Sequence, residues 1–332
     1  MMKKRVVLIG TGGTIASMGT GPFDILDYGA RGLLLDAAEL VARVPELAEV
    51  AEVVPVPFRA VPSTQLGYAD WRELHRIIHQ MATEDDGIAG FVVTHGTSSM
   101  EETAYFLSLT IKIRQPVVLT GAQRPATAIS GDGPINMANA VRVAASEEAR
   151  GMGALVLMND EIQAARDVTK TSTFRMQTFR TADFGVLGQA DGDRVVFYRR
   201  PVRRAGPDTE FDITGLETLP RVDVAYVHCD ADGAAVDAFV AAGAKGIVTA
   251  GFAPGFVTPA MVTALEAARA KGVVVAMGCR AGSGRVFRTT KIAKSDFIVA
   301  DNLTPQKARI LLALALTRTT DQAEITRMFE TY

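Results

Sequence analysis

The chain has 332 residues, of which 48% are hydrophobic and 22% charged, and its formal net charge is −2. That length suits two domains of ordinary size, and the near-neutral charge gives no electrostatic basis for binding nucleic acid or an anionic membrane. Its two cysteines, Cys229 and Cys279, form neither a disulfide framework nor a metal-ligand pattern and suit a reducing compartment. Lys3, Lys4 and Arg5 precede a short apolar run that glycines interrupt at once, unlike a signal peptide. No stretch approaches the length of a membrane span. The expectation is a cytoplasmic protein.

Apolar runs of strand length recur at 6–9, 53–56, 88–94, 116–119, 154–157, 222–227, 246–249 and 273–277. Helical patterns over 36–43, 71–81, 100–112 and 136–145 fall between many of them. The alternation predicts βαβ units, a mainly parallel sheet and right-handed crossovers. A composition break at 201–219, with Pro201, Arg203-Arg204-Ala205-Gly206-Pro207 and Gly215, reads as a linker. It separates a larger α/β domain, 1–200, from a smaller one, 220–332. Near the end, Thr304-Pro305 signals a helix start and Asp321-x-x-Glu324 a capping box.

The first strand empties into Gly10-Thr11-Gly12-Gly13-Thr14-Ile15-Ala16. Glycines there let the backbone turn sharply and approach a ligand. The turn presents the Thr14 hydroxyl at the carboxyl end of a strand, where open α/β sheets bind small molecules. A phosphate-binding reading fits poorly: Ile15 occupies a position that needs a small residue, and no Gly-Lys-Ser/Thr follows. The next segment, 18–32, carries Gly19, Gly21, Gly29 and Gly32 around Phe23, Ile25, Leu26 and Tyr28. It reads equally as a lid or as an ordinary surface loop.

A second strand runs into Thr94-His95-Gly96-Thr97-Ser98-Ser99-Met100-Glu101-Glu102-Thr103. Ser98 or Ser99 is the expected N-cap, with Glu101 or Glu102 completing a capping box. Thr97 lies just outside the helix, beside free N–H groups suited to an oxyanion. A third polar run, Arg166-Asp167-Val168-Thr169-Lys170, holds a lysine that taken alone reads as a solvated surface charge, although a lysine held near an alcohol can help move its proton. His75 and His79 lie one helical turn apart, but no third ligand accompanies them, so a solvated helix face is expected rather than a metal site.

Taken together these segments resemble the bacterial-type L-asparaginase and glutaminase-asparaginase family. The resemblance rests on residues 11–16 and 94–103, on Gly121-Ala122-Gln123-Arg124-Pro125, Asp132-Gly133-Pro134-x-Asn136, Met158-Asn159-Asp160, 166–170 and Pro305-Gln306-Lys307-Ala308-Arg309. It covers essentially the whole chain. It implies two α/β domains, a homotetramer built as a dimer of dimers, and amide hydrolysis without metal or cofactor. By resemblance, Thr14 is the nucleophile that forms an acyl-enzyme, Thr97 the second catalytic threonine and Lys170 its partner. Tyr28 matches the lid tyrosine. Ser63 matches the serine that holds a substrate carboxylate, and Ala122 the position whose carbonyl meets the leaving amine.

Departures from the pattern concern amino-group recognition. Ser98 replaces the family's aspartate, Thr64 replaces the glutamine after the serine, and the place of a glutamate from a neighbouring subunit falls near Arg288, Thr289, Thr290 and Lys291. The expectation is therefore an amidohydrolase whose substrate lacks a free α-amino group, or carries an extra anion met by Arg288 or Lys291. A des-amino or N-substituted amide, an imide or a lactam fits. The alternatives are a low-affinity L-asparaginase, a transamidation subunit, whose extra N-terminal sequence is missing, and a binding protein on the same fold.

Overall fold

The first strand, β1 (Arg5–Gly10), is buried from Val6 onward, as an interior parallel strand must be when helices cover both faces of its sheet. In the computed structural model, which describes residues 3–332, the chain divides into two compact units. One ends at Glu210 and the other spans Phe211–Tyr332.

The first unit continues through α1 (Ala37–Ala42), α2 (Leu47–Val50), β2 (Glu52–Pro57), α3 (Tyr68–Glu84), β3 (Ile88–Thr94), α4 (Met100–Thr110), β4 (Val117–Thr120), α5 (Gly133–Ala144) and β5 (Ala154–Met158). Short strands follow: β6 (Glu161–Ala164), β7 (Thr169–Lys170), β8 (Phe179–Arg180), β9 (Gly188–Ala190) and β10 (Val195–Phe197). The main sheet has the order β10-β9-β6-β5-β4-β3-β1-β2. Its five strands β2-β1-β3-β4-β5 are parallel, and β6, β9 and β10 extend it with antiparallel pairings. A separate ribbon pairs β7 with β8.

Alternation of side chains assigns the two faces. Val6, Leu8, Val92, Val118, Leu155 and Leu157 pack with Ala37 and Leu40 of α1 and Met137, Ala140, Val141 and Ala144 of α5. The helix α4 is buried at every position except Glu102, which explains why it has little of the polar face expected of a surface helix. The chain leaves β1 toward β2 and returns to place β3 on β1's other side. The carboxyl ends of β1 and β3 therefore flank a topological switch point, the usual place for a ligand in such a sheet.

The second unit winds β11 (Val222–Tyr226), α6 (Ala234–Ala241), β12 (Gly246–Gly251), α7 (Pro259–Ala270), β13 (Val274–Cys279), α8 (Thr290–Lys294) and β14 (Ile298–Val299), ending in α9 (Pro305–Ala315) and α10 (Gln322–Thr331). Its four strands are parallel and in sequence order. Val227, Val236, Ile247, Leu265, Val275 and Phe297 belong to its core. Among the described residues no helix is long and apolar enough to cross a membrane.

Two sequence expectations are corrected. Ser99 occupies the N-cap of α4, but no side chain caps it. Its hydroxyl donates instead to the Ser63 carbonyl at 2.8 Å, so a tie between two loops displaces the local box. His75 and His79 are not a solvated face. Their rings stack with centroids 3.9 Å apart, His79 Nε2 accepts from the Lys112 N–H at 2.8 Å, and His75 Nε2 lies 3.3 Å from the Thr110 carbonyl. They fasten α3 to the exit of α4.

Candidate active site

Glycine sets the geometry of the switch point. Gly12 and Gly13 have φ of 92° and 81°, a left-handed region that side chains rarely adopt. A Cβ on Gly13 would lie 2.2 Å from the Gly96 Cα, and one on Gly96 would lie 2.8 Å from Ser63 Cβ. Three turns thus interlock: the exit of β1, the exit of β3, and the turn at Ser63–Gln65. The Thr11 N–H donates to the Thr94 carbonyl at 3.0 Å and fixes the first two.

Beneath them lies a cavity of about 520 Å³ whose lining includes Thr14, Tyr28, Ser63, Thr64, Thr97 and Ser98. Of the eight residues singled out from sequence, these six meet there. Lys170 reaches the group through its ammonium, which donates to Thr97 Oγ1 at 2.7 Å. Ala122 is fully buried and lies outside the lining. The preceding Gly121 abuts Thr97, since a Cβ there would be 3.3 Å from Thr97 Cγ2. Asp132 holds this turn by accepting from the N–H groups of Gln123 at 2.9 Å and Arg124 at 3.0 Å.

Each threonine has one proton partner of its own. Thr14 Oγ1 and the Tyr28 hydroxyl are 2.8 Å apart, and Tyr28 opens the short turn Tyr28–Arg31. The loop carrying it is pinned near its ends, where the Gly19 N–H donates to Thr127 Oγ1 at 2.9 Å and the Met18 N–H to the Leu33 carbonyl at 3.1 Å. Between these ties Phe23 and Leu26 stand exposed. Burial lowers the pKa of Lys170, and the Glu101 charge opposes that shift. A lysine brought down from its ordinary value is better suited to exchange a proton with an alcohol near neutral pH.

Sequence reading missed Gln65 and the role of Glu101. Gln65 lines the cavity, and its place in the turn after Ser63 and Thr64 was the available signal. Glu101 is buried at 6% exposure, and its Oε1 accepts the Lys170 backbone N–H at 3.3 Å. His95 is fully buried and anchors a one-way chain of hydrogen bonds. The Trp71 indole donates to Thr103 Oγ1 at 2.8 Å, Thr103 lies 2.9 Å from His95 Nε2, and His95 Nδ1 lies 2.7 Å from the Gly96 carbonyl. A carbonyl only accepts, so Nδ1 carries the proton, Nε2 accepts, and the Thr103 hydroxyl donates. Protonating Nε2 would reverse that bond, and burial pushes the His95 pKa down to about 4.

The second unit holds the basic residues. Arg288 is 3.9 Å from Asp296, and Lys291 edges a small cleft with Ile292 and Phe297. Among the described residues no group of three or more histidine, cysteine, aspartate or glutamate side chains is placed to hold a metal.

Comparison with known proteins agrees over both units. The family described as "Asparaginase, N-terminal" matches residues 5–203, and "Glutaminase/Asparaginase C-terminal domain" matches 221–329. The chain is 40% identical to L-asparaginase 2 of Bacillus subtilis over 99% of its own length and 86% of that protein. It is 40% identical to glutaminase-asparaginase of Pseudomonas fluorescens, over 99% and 90%. The crystal structure of a probable cytoplasmic L-asparaginase from Campylobacter jejuni superposes with a TM-score of 0.94 at 38% identity, covering 99% of this chain and 100% of that one. With family matches across both units and relatives aligned over nearly its whole length, the chain belongs to the asparaginase family of amidohydrolases.

Proposed function

We propose that this enzyme hydrolyses a small carboxamide through an ester on Thr14, and that its preferred substrate lacks the free α-amino group of asparagine. The observation that carries the first part is the pairing of two threonines in one cavity, each with a proton partner at 2.7–2.8 Å. In the first half-reaction Thr14 Oγ1 attacks the amide carbon and passes its proton to the Tyr28 oxygen as that hydroxyl hands its own proton on to the amide nitrogen. The C–N bond then breaks and the amine leaves with a proton. In the second, water attacks the ester while Thr97 takes one of its protons and hands its own to neutral Lys170; the bond from the acyl carbon to Thr14 Oγ1 then breaks, the other water proton returns to Thr14 through Tyr28, and Lys170 sheds its proton to solvent as the carboxylate leaves. Two steps of moderate barrier replace one difficult one. Backbone N–H groups around Gly13 and Gly96 suit the developing oxyanion.

The second part rests on Ser98 and Thr64, which line the cavity and carry no charge. A hydrogen bond to a charged group contributes about 1.5–3 kcal/mol, so losing two partners for an ammonium weakens its binding by about two to four powers of ten. A des-amino or N-substituted amide, an imide or a lactam is the substrate class we favour, with Ser63 on its carboxylate and the Ala122 carbonyl toward the leaving amine. The names of the relatives favour a second reading, a low-affinity L-asparaginase. A screen of small amides, imides and lactams beside L-asparagine separates the two. Our reading expects kcat/KM for a des-amino amide above that for L-asparagine, and the reverse order overturns it.

We further infer a cytoplasmic homotetramer, in line with the resemblance, although a relative from Haemophilus influenzae is named a probable periplasmic L-asparaginase. Light scattering of the purified protein tests the assembly.

A further inference from the structure

Glu101 sits in the first turn of α4, where the helix dipole favours a carboxylate. It is buried at 6% exposure and does not line the cavity. A carboxylate taken out of water is costly unless it is paired. Its Oε1 accepts the backbone N–H of Lys170 at 3.3 Å, and the Nζ of that lysine lies 2.7 Å from Thr97 Oγ1. The strand that carries Lys170 is two residues long and pairs only with an equally short strand, Thr169 opposite Arg180 and Lys170 opposite Phe179. So small a ladder does little to place a long side chain. The carboxylate holds the lysine's main chain while Thr97 accepts from its ammonium.

We propose that Glu101 is the positioning residue of the Thr97–Lys170 pair, supplying from outside the cavity lining the negative charge that Ser98 does not supply from within it. This rests on the reading of Thr97 and Lys170 as a proton-transfer pair. Ser98 stands three residues before Glu101 and lines the cavity, whereas Glu101 does not. Burial disfavours the ammonium, and Glu101 offsets part of that effect. The other titratable groups on the elements that carry or adjoin the pair are Glu102 and Tyr105 on α4, the Arg166–Asp167 pair at 3.0 Å before β7, Arg180 on β8 opposite Thr169, His95 after β3, and Tyr28 in the cavity lining. Among the described residues, Glu101 is the charged group that acts on the Lys170 ammonium. Removing its charge lowers the lysine pKa, so the neutral amine forms at lower pH.

The test compares kcat and KM against pH for the full-length enzyme and four variants, Glu101→Gln, Glu101→Asp, Lys170→Met and Ser98→Asp/Glu101→Gln, using the best amide from the substrate screen. In Glu101→Gln the acid limb of kcat moves to lower pH. Its plateau falls about tenfold with KM changed less than about threefold. Glu101→Asp keeps the limb near its original place, and it serves alone if the glutamine variant does not fold. Ser98→Asp/Glu101→Gln brings the limb back. A wild-type limb in Glu101→Gln, with the limb abolished in Lys170→Met, overturns the role of Glu101. A limb that survives in Lys170→Met overturns the proton-transfer pair itself.

Discussion

Acidifying the protein from about pH 8 to about pH 5 should remove roughly 2 kcal/mol of stability from the N-terminal unit through His95 alone. The side chain is fully buried, and its pKa falls from 6.5 to about 4 because burial penalises the imidazolium. The unfolded chain holds a proton at pH values where the folded one does not. Neutral His95 therefore contributes stability that is complete above the unfolded value and is lost as pH falls toward the folded one. The full difference approaches about 3 kcal/mol, and about 2 kcal/mol has gone by pH 5. Trp71 supplies the assay. It is the one tryptophan in the chain and donates to Thr103, the hydroxyl next to His95. Denaturant unfolding followed by its fluorescence reads this unit across the pH range. Carboxylates titrate in both proteins, so the comparison is with His95→Gln, whose stability should fall less steeply between about pH 6.5 and about pH 4.5. Parallel curves for the two proteins would refute the buried, neutral histidine and the one-way chain built on it.

Replacing Gly13 by alanine combines a φ of 81° with a Cβ 2.2 Å from the Gly96 backbone, so a thermal melt should show a loss above about 3 kcal/mol. An unaltered melting temperature would mean that the two turns do not interlock. Ser98→Asp with Thr64→Gln restores acceptors for an ammonium, and kcat/KM for L-asparagine should rise at least about tenfold. No gain in that assay would show that amino-group recognition lies elsewhere.

How much could be read from the chain depended on whether a feature is local. The exits of β1 and β3 were legible because a strand running into Gly-Gly-Thr or Gly-Thr leaves few other backbone paths. The alternation of strands and helices likewise pointed to βαβ units and a mainly parallel sheet, the observed fold class. The short strands β6 to β10 and β14 were not legible, because two to four residues carry too little periodicity and their pairing is decided by neighbours distant in sequence. Ser99 showed the same limit: its own helix offered a cap, but the Ser63 carbonyl took the hydroxyl. Nothing around position 101 distinguishes a glutamate that grips Lys170 from the exposed acid usual in a first helical turn. That contact spans 69 residues of sequence. His75 and His79 looked like surface residues because the partner that hydrogen-bonds them, the exit of α4, lies about three dozen residues away.

The central claim is that Thr14 carries the acyl group. Its most direct test is to trap the protein with a reactive amide analogue and locate the added mass by peptide mass spectrometry. One covalent label is expected on Thr14, absent in Thr14→Val and, in Lys170→Met, formed but slow to hydrolyse. A label on another residue, or turnover that persists in Thr14→Val, would contradict it.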